Sequence, residues 1–180
     1  MAAALPLVTE RGRAVTTAEI ARAAGVAEGT VFWAFSTKEE LLDACVHEVT
    51  RTDRLRARIE AAARRDTLED RLLAVAEALE AHLRRAVPLV LSLGAPGTHH
   101  RSQERGGMVA VLTEAVGQLL AREVEAGRIV AEPAVAARAL VGLVFAAVFQ
   151  QAHAGIEPAA THDLVAIFLD GVRPREADRP

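Results

Sequence analysis

The sequence predicts an all-α protein of about nine helices. Its hydrophobic share is 51%, dominated by Ala, Leu and Val, and it has no tyrosine. Long stretches lack Pro and Gly, which favours helix over sheet. Apolar residues recur at three- and four-residue steps rather than alternating. A length of 180 residues supplies enough of them for a sizeable core.

The elements follow in order. Residues 2–11 read as a short helix closed by Gly12, a residue free to take a left-handed capping conformation. Pro6 would cost about 3 kcal/mol in a helix interior, but a start near Ala2 places it among the first N–H groups, which have no partner anyway. Thr17 is the expected N-cap of a helix running to Ala24, with Gly25 ending it. Ala27-Glu28-Gly29-Thr30 opens a second short helix through Ala34. Ser36 or Thr37, before the acidic turn Glu39-Glu40, caps a third. Leu41, Leu42, Cys45, Val49, Leu55 and Ile59 keep a helical spacing, so this third helix is expected over 38 to about 64.

Leu68, Leu72, Val75, Leu79, Leu83 and Val87 predict an amphipathic helix of about 67–87 that Pro88 terminates. Gly94-Ala95-Pro96-Gly97-Thr98 marks a loop. Helices are expected over 102–126, ended by Gly127; from Pro133 to about Ala154; and over about 159–171. The apolar run 139–149 is too short to span a bilayer, a task for about 20 residues, and is expected to be a buried helix. The division falls into an N-terminal domain of residues 1–48 and a second of 49–175.

Charge excludes a generally basic nucleic-acid binder. The net charge is −3, and residues 1–50 alone carry four basic against seven acidic side chains, also −3. The balance reverses over 51–65, where six arginines face two acids. These arginines suit either the neighbourhood of a duplex or a solvated helix face. Met1 is followed by apolar residues without a basic leader, and Cys45 is the single cysteine. A cytoplasmic protein without secretion signal or internal disulfide is therefore expected.

The informative stretch is Thr17 to Phe35. Two short helices are joined by a tight turn, with Ile20, Ala21, Ala24, Val26, Val31 and Phe35 as a small core. Gly25 supplies the turn backbone, so the second helix is free to present its outer face. In such a motif its N-terminal residues enter the major groove.

The pattern Thr-Thr-x-x-Ile-Ala-x-x-Ala-Gly-Val-x-x-Gly-Thr-Val-Phe-x-x-Phe-x-x-Lys-Glu-x-Leu, at residues 16–41, resembles the DNA-binding domain of TetR-family transcriptional regulators. The resemblance implies that Thr17 and Lys38, at helix N-termini, face phosphates, and that Gly29, Thr30, Trp33 and Ala34 lie on the groove face. Glu28, Arg22 and Thr37 join the expected DNA-binding set. For Thr17 and Thr37, plain capping is the competing reading. Trp33 can pack on sugars and thymine methyl groups. Three positions depart from the family's habit: Phe32 where tyrosine is common, Glu28 where a base is common, and Ala34 in place of a polar residue. These departures predict modest affinity.

The remainder resembles the family's ligand-binding and dimerisation domain. Gly142, Phe145, Val148 and Phe149 on one helix, with Leu164, Ile167 and Phe168 on the last, are the expected two-fold interface, the alternative being the core of one chain. Leu72, Val75, Leu79, His82, Leu83, Leu93, Met108, Val111 and Leu112 either line a pocket for a small apolar ligand or fill an ordinary core. His99-His100 has no partner spacing for a metal and suits a surface loop. No catalytic grouping, phosphate loop or dinucleotide fingerprint can be assembled, so neither an enzyme nor a cofactor is expected. The expected function is repression of transcription, as a homodimer released from double-stranded operator DNA by a small apolar ligand. The competing reading is a module of the same fold that has lost operator binding.

Overall fold

The computed structural model describes residues 1–94 and 107–173. Those residues form nine α-helices and one 3-10 turn: α1 (Ala4–Arg11), the 3-10 turn (Gly12–Ala14), α2 (Thr17–Ala24), α3 (Glu28–Ala34), α4 (Lys38–Thr50), α5 (Asp53–Ala62), α6 (Leu68–Ser92), α7 (Gly107–Glu125), α8 (Pro133–Ala154) and α9 (Thr161–Val172). Among the described residues there is no strand. The chain divides into two compact units, Met1–Arg51 with residues 84–94, and Thr52–Leu83 with residues 107–173. The second segment of the N-terminal unit is the end of α6, so a single helix belongs to both.

In the N-terminal unit, Ala4, Val8, Val15, Ile20, Ala21, Val31, Leu41, Leu42, Cys45 and Val49 are buried. Pro6 is the third residue of α1 and is tolerated there for the reason given by the sequence. The cap of α2 is Thr16, one residue earlier than expected: its hydroxyl accepts from the Glu19 N–H (3.2 Å) while the Thr16 N–H donates to the Glu19 carboxylate (2.9 Å). This reciprocal pair satisfies two orphan groups where Thr17 would satisfy one. Gly25 closes α2 in the left-handed conformation, and the Val26 N–H reaches back to the Ala21 carbonyl (3.0 Å). Thr37 caps α4 by accepting from the Glu40 N–H (3.1 Å).

The expected helix 38–64 is two helices. α4 stops at Thr50, whose hydroxyl donates back to the Val46 carbonyl (2.8 Å), Arg51 is extended, and α5 restarts at Asp53. Threonines on either side of Arg51 disfavour helix through the stiffness of their branched side chains. Leu55 and Ile59 kept the helical spacing because they are buried in the other unit.

α6 runs through Pro88 to Ser92 rather than ending before it. The missing N–H costs a hydrogen bond. Burial of Leu89 and Leu93, each stabilising by about 2 kcal/mol, and a bond from the Ser92 hydroxyl to the Val8 carbonyl (2.8 Å) offset that cost.

In the second unit, α7 packs most extensively on α8, and α5 and α9 flank this pair on α7 and α8 respectively. Leu72, Val75, Leu79, Leu83, Leu112, Leu120, Ile129 and Leu140 are its largest fully buried side chains. Gly127 and Gly155 end α7 and α8 with positive φ, and Glu132 caps α8 by accepting from the N–H groups of Ala134 and Val135. α8 is not the buried helix expected. Its 22 residues are long and apolar enough by composition to cross a membrane, yet only 33% of that apolar window is buried. Capping by Glu132 and Gly155 lengthens the helix beyond the apolar run, and one side of it is exposed among the described residues. The His99-His100 pair and residues 102–106 of the helix expected over 102–126 lie outside the described residues.

Candidate nucleic-acid interface

α2 and α3 pack on each other in a two-helix arrangement whose turn is Gly25 to Ala27. Val31 is buried and Phe35 half-buried on the inner side of α3. A helical step of 100° per residue then puts Trp33 at the centre of the outward arc, with Gly29 and Thr30 beside it. Trp33 is 89% exposed, and Glu28, Gly29, Thr30, Phe32 and Ala34 are exposed as well. Trp33 and the half-exposed Phe32 together give α3 an apolar outer face. Beneath α3 lies an apolar hollow of about 160 Å³ lined by Ala3, Ala4, Ile20, Ala24, Val31 and Ala34 among others.

The expected phosphate-facing residues already have partners. The Thr17 hydroxyl donates to Glu28 Oε1 (2.6 Å), fastening the N-terminus of α2 to that of α3. Lys38 Nζ donates to the Arg13 carbonyl (2.6 Å), and Arg13 Nε donates to the Leu93 carbonyl (3.2 Å). Arg11 pairs with Glu19. The Glu19 carboxyl is held low by the Thr16 N–H and hydroxyl, with a smaller contribution from Arg11. Arg22 is exposed on α2 and, among the described residues, has no polar partner. Thr37 is an N-cap, which leaves its hydroxyl proton for another acceptor. Phe32, singled out from the sequence only as a departure from tyrosine and left out of the DNA-binding set, is half-exposed beside Trp33.

Residues 1–45 match the family of bacterial regulatory proteins, tetR family. The N-terminal 45 residues carry the TetR-family DNA-binding pattern. Solved structures agree over the full length. NalD of Pseudomonas aeruginosa, the secondary repressor of the MexAB-OprM multidrug efflux pump, is 25% identical, with 96% of this chain and 92% of that one covered and a TM-score of 0.66. The fatty acid degradation regulator FadR of Bacillus halodurans shares the fold at 19% identity, with 96% and 97% covered and a TM-score of 0.74. FadR of Bacillus subtilis, solved in complex with stearoyl-CoA, does so at 19%, with 94% and 93% covered and a TM-score of 0.71. No curated protein sequence matches the chain. The match over the N-terminal helices supports a DNA-binding transcriptional regulator.

The remaining expected residues fall as follows. Leu72, Val75, Leu79, Leu83 and Leu112 are fully buried in the second unit, His82 is buried among them at 8% exposure, and Met108 and Val111 are half-buried. Leu93 belongs to the N-terminal unit, so it is not part of this group. Val148 and Phe168 are buried within the chain itself and serve its core rather than a free face. Gly142 and Ile167 are exposed, and Phe145, Phe149 and Leu164 half-buried. Phe149 stacks between Phe145 (5.9 Å) and His153 (5.3 Å).

Proposed function

We propose that the protein is a cytoplasmic, homodimeric repressor whose hold on operator DNA is released by a small apolar ligand. The observation that carries the reading is the exposed Trp33 on a helix held outward by a capped, glycine-turned partner helix. The domain division expected from the sequence serves it with one amendment, the end of α6 joining the reading head. Ligand would lodge among Leu72, Val75, Leu79, Leu83, Met108, Val111 and Leu112, with His82 as a polar handle. An apolar site of this kind would suit the acyl group that the Bacillus subtilis FadR holds. The helix expected over 38 to about 64 is broken at Arg51, so the coupling role is assigned to α6. Residues 68–83 belong to the ligand unit, and the same helix ends where Ser92 is bonded to Val8 in the head. A ligand favouring one placement of α6 shifts the population away from the DNA-binding form.

Dimerisation is supported by the uncovered side of α8 and α9. Val135, Gly142 and Ile167, the last 63% exposed, are open there, and no neighbouring atom meets a Cβ built on Gly142. Exposed Arg138, Gln150 and His153 on α8 suit a second copy better than a lipid. Ile167→Lys is expected to turn a dimer of 19.1 kDa chains into monomers in light scattering after gel filtration, with helix content unchanged. A variant that stays dimeric overturns this interface.

The function is tested by gel shift of the whole protein on the DNA flanking its own gene at two salt concentrations. Sequence-selective binding of modest affinity is expected. Its logarithmic salt slope should be shallow, about −2 to −4 per dimer, because few cations in the head remain to displace counterions. Absence of binding at both concentrations overturns the repressor and favours a ligand-binding module without operator recognition.

A further inference from the structure

The recognition face has an unusual chemistry. From Val26 to Thr37 there is no Arg, Lys, Asn or Gln, so no side chain there can make the two-pronged contact that identifies guanine or adenine in the major groove. The exposed groups on α3 are instead the Trp33 indole, the Thr30 hydroxyl and methyl, the Ala34 methyl and half of Phe32. The one charge is the Glu28 carboxylate, an acceptor fixed at one oxygen by the Thr17 hydroxyl (2.6 Å). A carboxylate opposes the acceptor edge of guanine, N7 and O6, and tolerates only amino donors. Backbone grip is also slight, since Arg11, Arg13 and Lys38 each have a partner within the unit.

We infer that this recognition helix identifies its half-site by the C5-methyl groups of thymines, packed against Trp33, Thr30 and Ala34, and not by hydrogen bonds to purine edges. The inference rests on the operator-binding function and specifies what the operator presents. Beyond a single acceptor at Glu28 and single donors at Thr30 and Trp33, apolar contact is the main means of discrimination for such a face, and a thymine methyl is the one apolar group that the major groove displays. Because Trp33 is almost wholly exposed, its contribution is separable from folding.

The test begins with selection of bound duplexes from a random pool by the whole protein at low salt. In the selected site, each thymine is then replaced by uracil, which deletes the methyl and nothing else. Affinity is expected to fall about three- to fivefold for each methyl in contact, the value of one buried methyl group. Replacing purines by their 7-deaza forms should leave it unchanged. Trp33→Ala should abolish the loss at the thymine whose methyl packs on the indole and leave the losses at thymines contacted by Thr30 and Ala34. Uracil duplexes as tight as the parent, or a loss on 7-deaza substitution, overturn the inference while leaving operator binding intact. A pool from which nothing is enriched overturns operator binding itself.

Discussion

Gly12→Ala is expected to destabilise the protein by about 3 kcal/mol or more, lowering the melting temperature by about 6–12 °C. Gly12 is buried at the end of α1 with φ 55° and ψ −133°, a backbone conformation that side-chain-bearing residues rarely adopt. A Cβ there would lie inside the van der Waals surface of the Ser92 carbonyl oxygen and 2.9 Å from its carbon. The obstacle is backbone, so no rotamer relieves it. The two units of cost, torsional strain and overlap, act together. The last turn of α6 cannot retreat without surrendering the Ser92 bond to Val8 and the Arg13 bond to Leu93.

Two controls separate this account from a general loss of helix capping. Gly25→Ala also meets a positive φ, but a Cβ there touches nothing within 4 Å, so strain alone applies and about 1 kcal/mol is expected. Ser92→Gly in the Gly12→Ala background should rescue nothing, because the carbonyl remains. Thermal unfolding of the three variants measures the difference. A Gly12→Ala protein as stable as the Gly25→Ala protein would show that α6 is free to shift away from the turn.

How much of this was legible beforehand depends on the range over which the deciding forces act. The α2–turn–α3 unit was readable because capping residues and Gly25 act within one turn of helix, and the paired threonines misplaced the cap by only one residue. The outward placement of Trp33 was implied by the family resemblance, and its spacing from Val31 and Phe35 agrees with the exposure found. The break at Arg51 had a local signal, Thr52 before Asp53, but the apolar spacing of Leu55 and Ile59 outweighed it; that spacing reports burial and does not say in which unit. Pro88 is the reverse case. A local rule ended α6, and tertiary contacts to Val8 and Arg13, more than 70 residues distant, carried it on. The engagement of Lys38 with the Arg13 carbonyl crosses 25 residues and had no signature in residue type, since a lysine at a helix start suits a phosphate equally well.

Glu123 carries the second large effect. It sits at the end of α7 at 4% exposure, an ionisable group that burial alone would neutralise. Burial pushes its carboxyl up, but the hydrogen bond from Arg128 Nε (2.6 Å), the charge of Arg128 and the charge and bonds of Arg71 (3.1 and 3.3 Å) outweigh it and hold the group below the usual carboxylate range. Arg71 also donates to the Arg65 and Asp66 carbonyls (2.6 and 3.2 Å), so one carboxylate fixes the connection between α5 and α6 to the end of α7.

Glu123→Gln keeps the shape and removes the charge, leaving the largely buried Arg71 without its counter-ion. A loss of about 2–3 kcal/mol is expected, below the full value for a broken buried pair because Arg128 is 45% exposed and can turn to water. The pH dependence identifies the cause. A carboxyl whose pKa is lowered in the folded state contributes stability that is complete above its unfolded value, 4.5, and that fades as pH falls through the lowered folded value. The stability gap between parent and Glu123→Gln should therefore be widest at neutral pH and narrow steadily below about pH 4.5. Denaturant titrations at pH 7, 5 and 3.5 measure it, and a gap that stays constant across that range would assign the loss to packing instead of charge. Replacing Glu123 and Arg71 together by leucines should recover only part of the stability, since the Arg65 and Asp66 carbonyls then lose their donor.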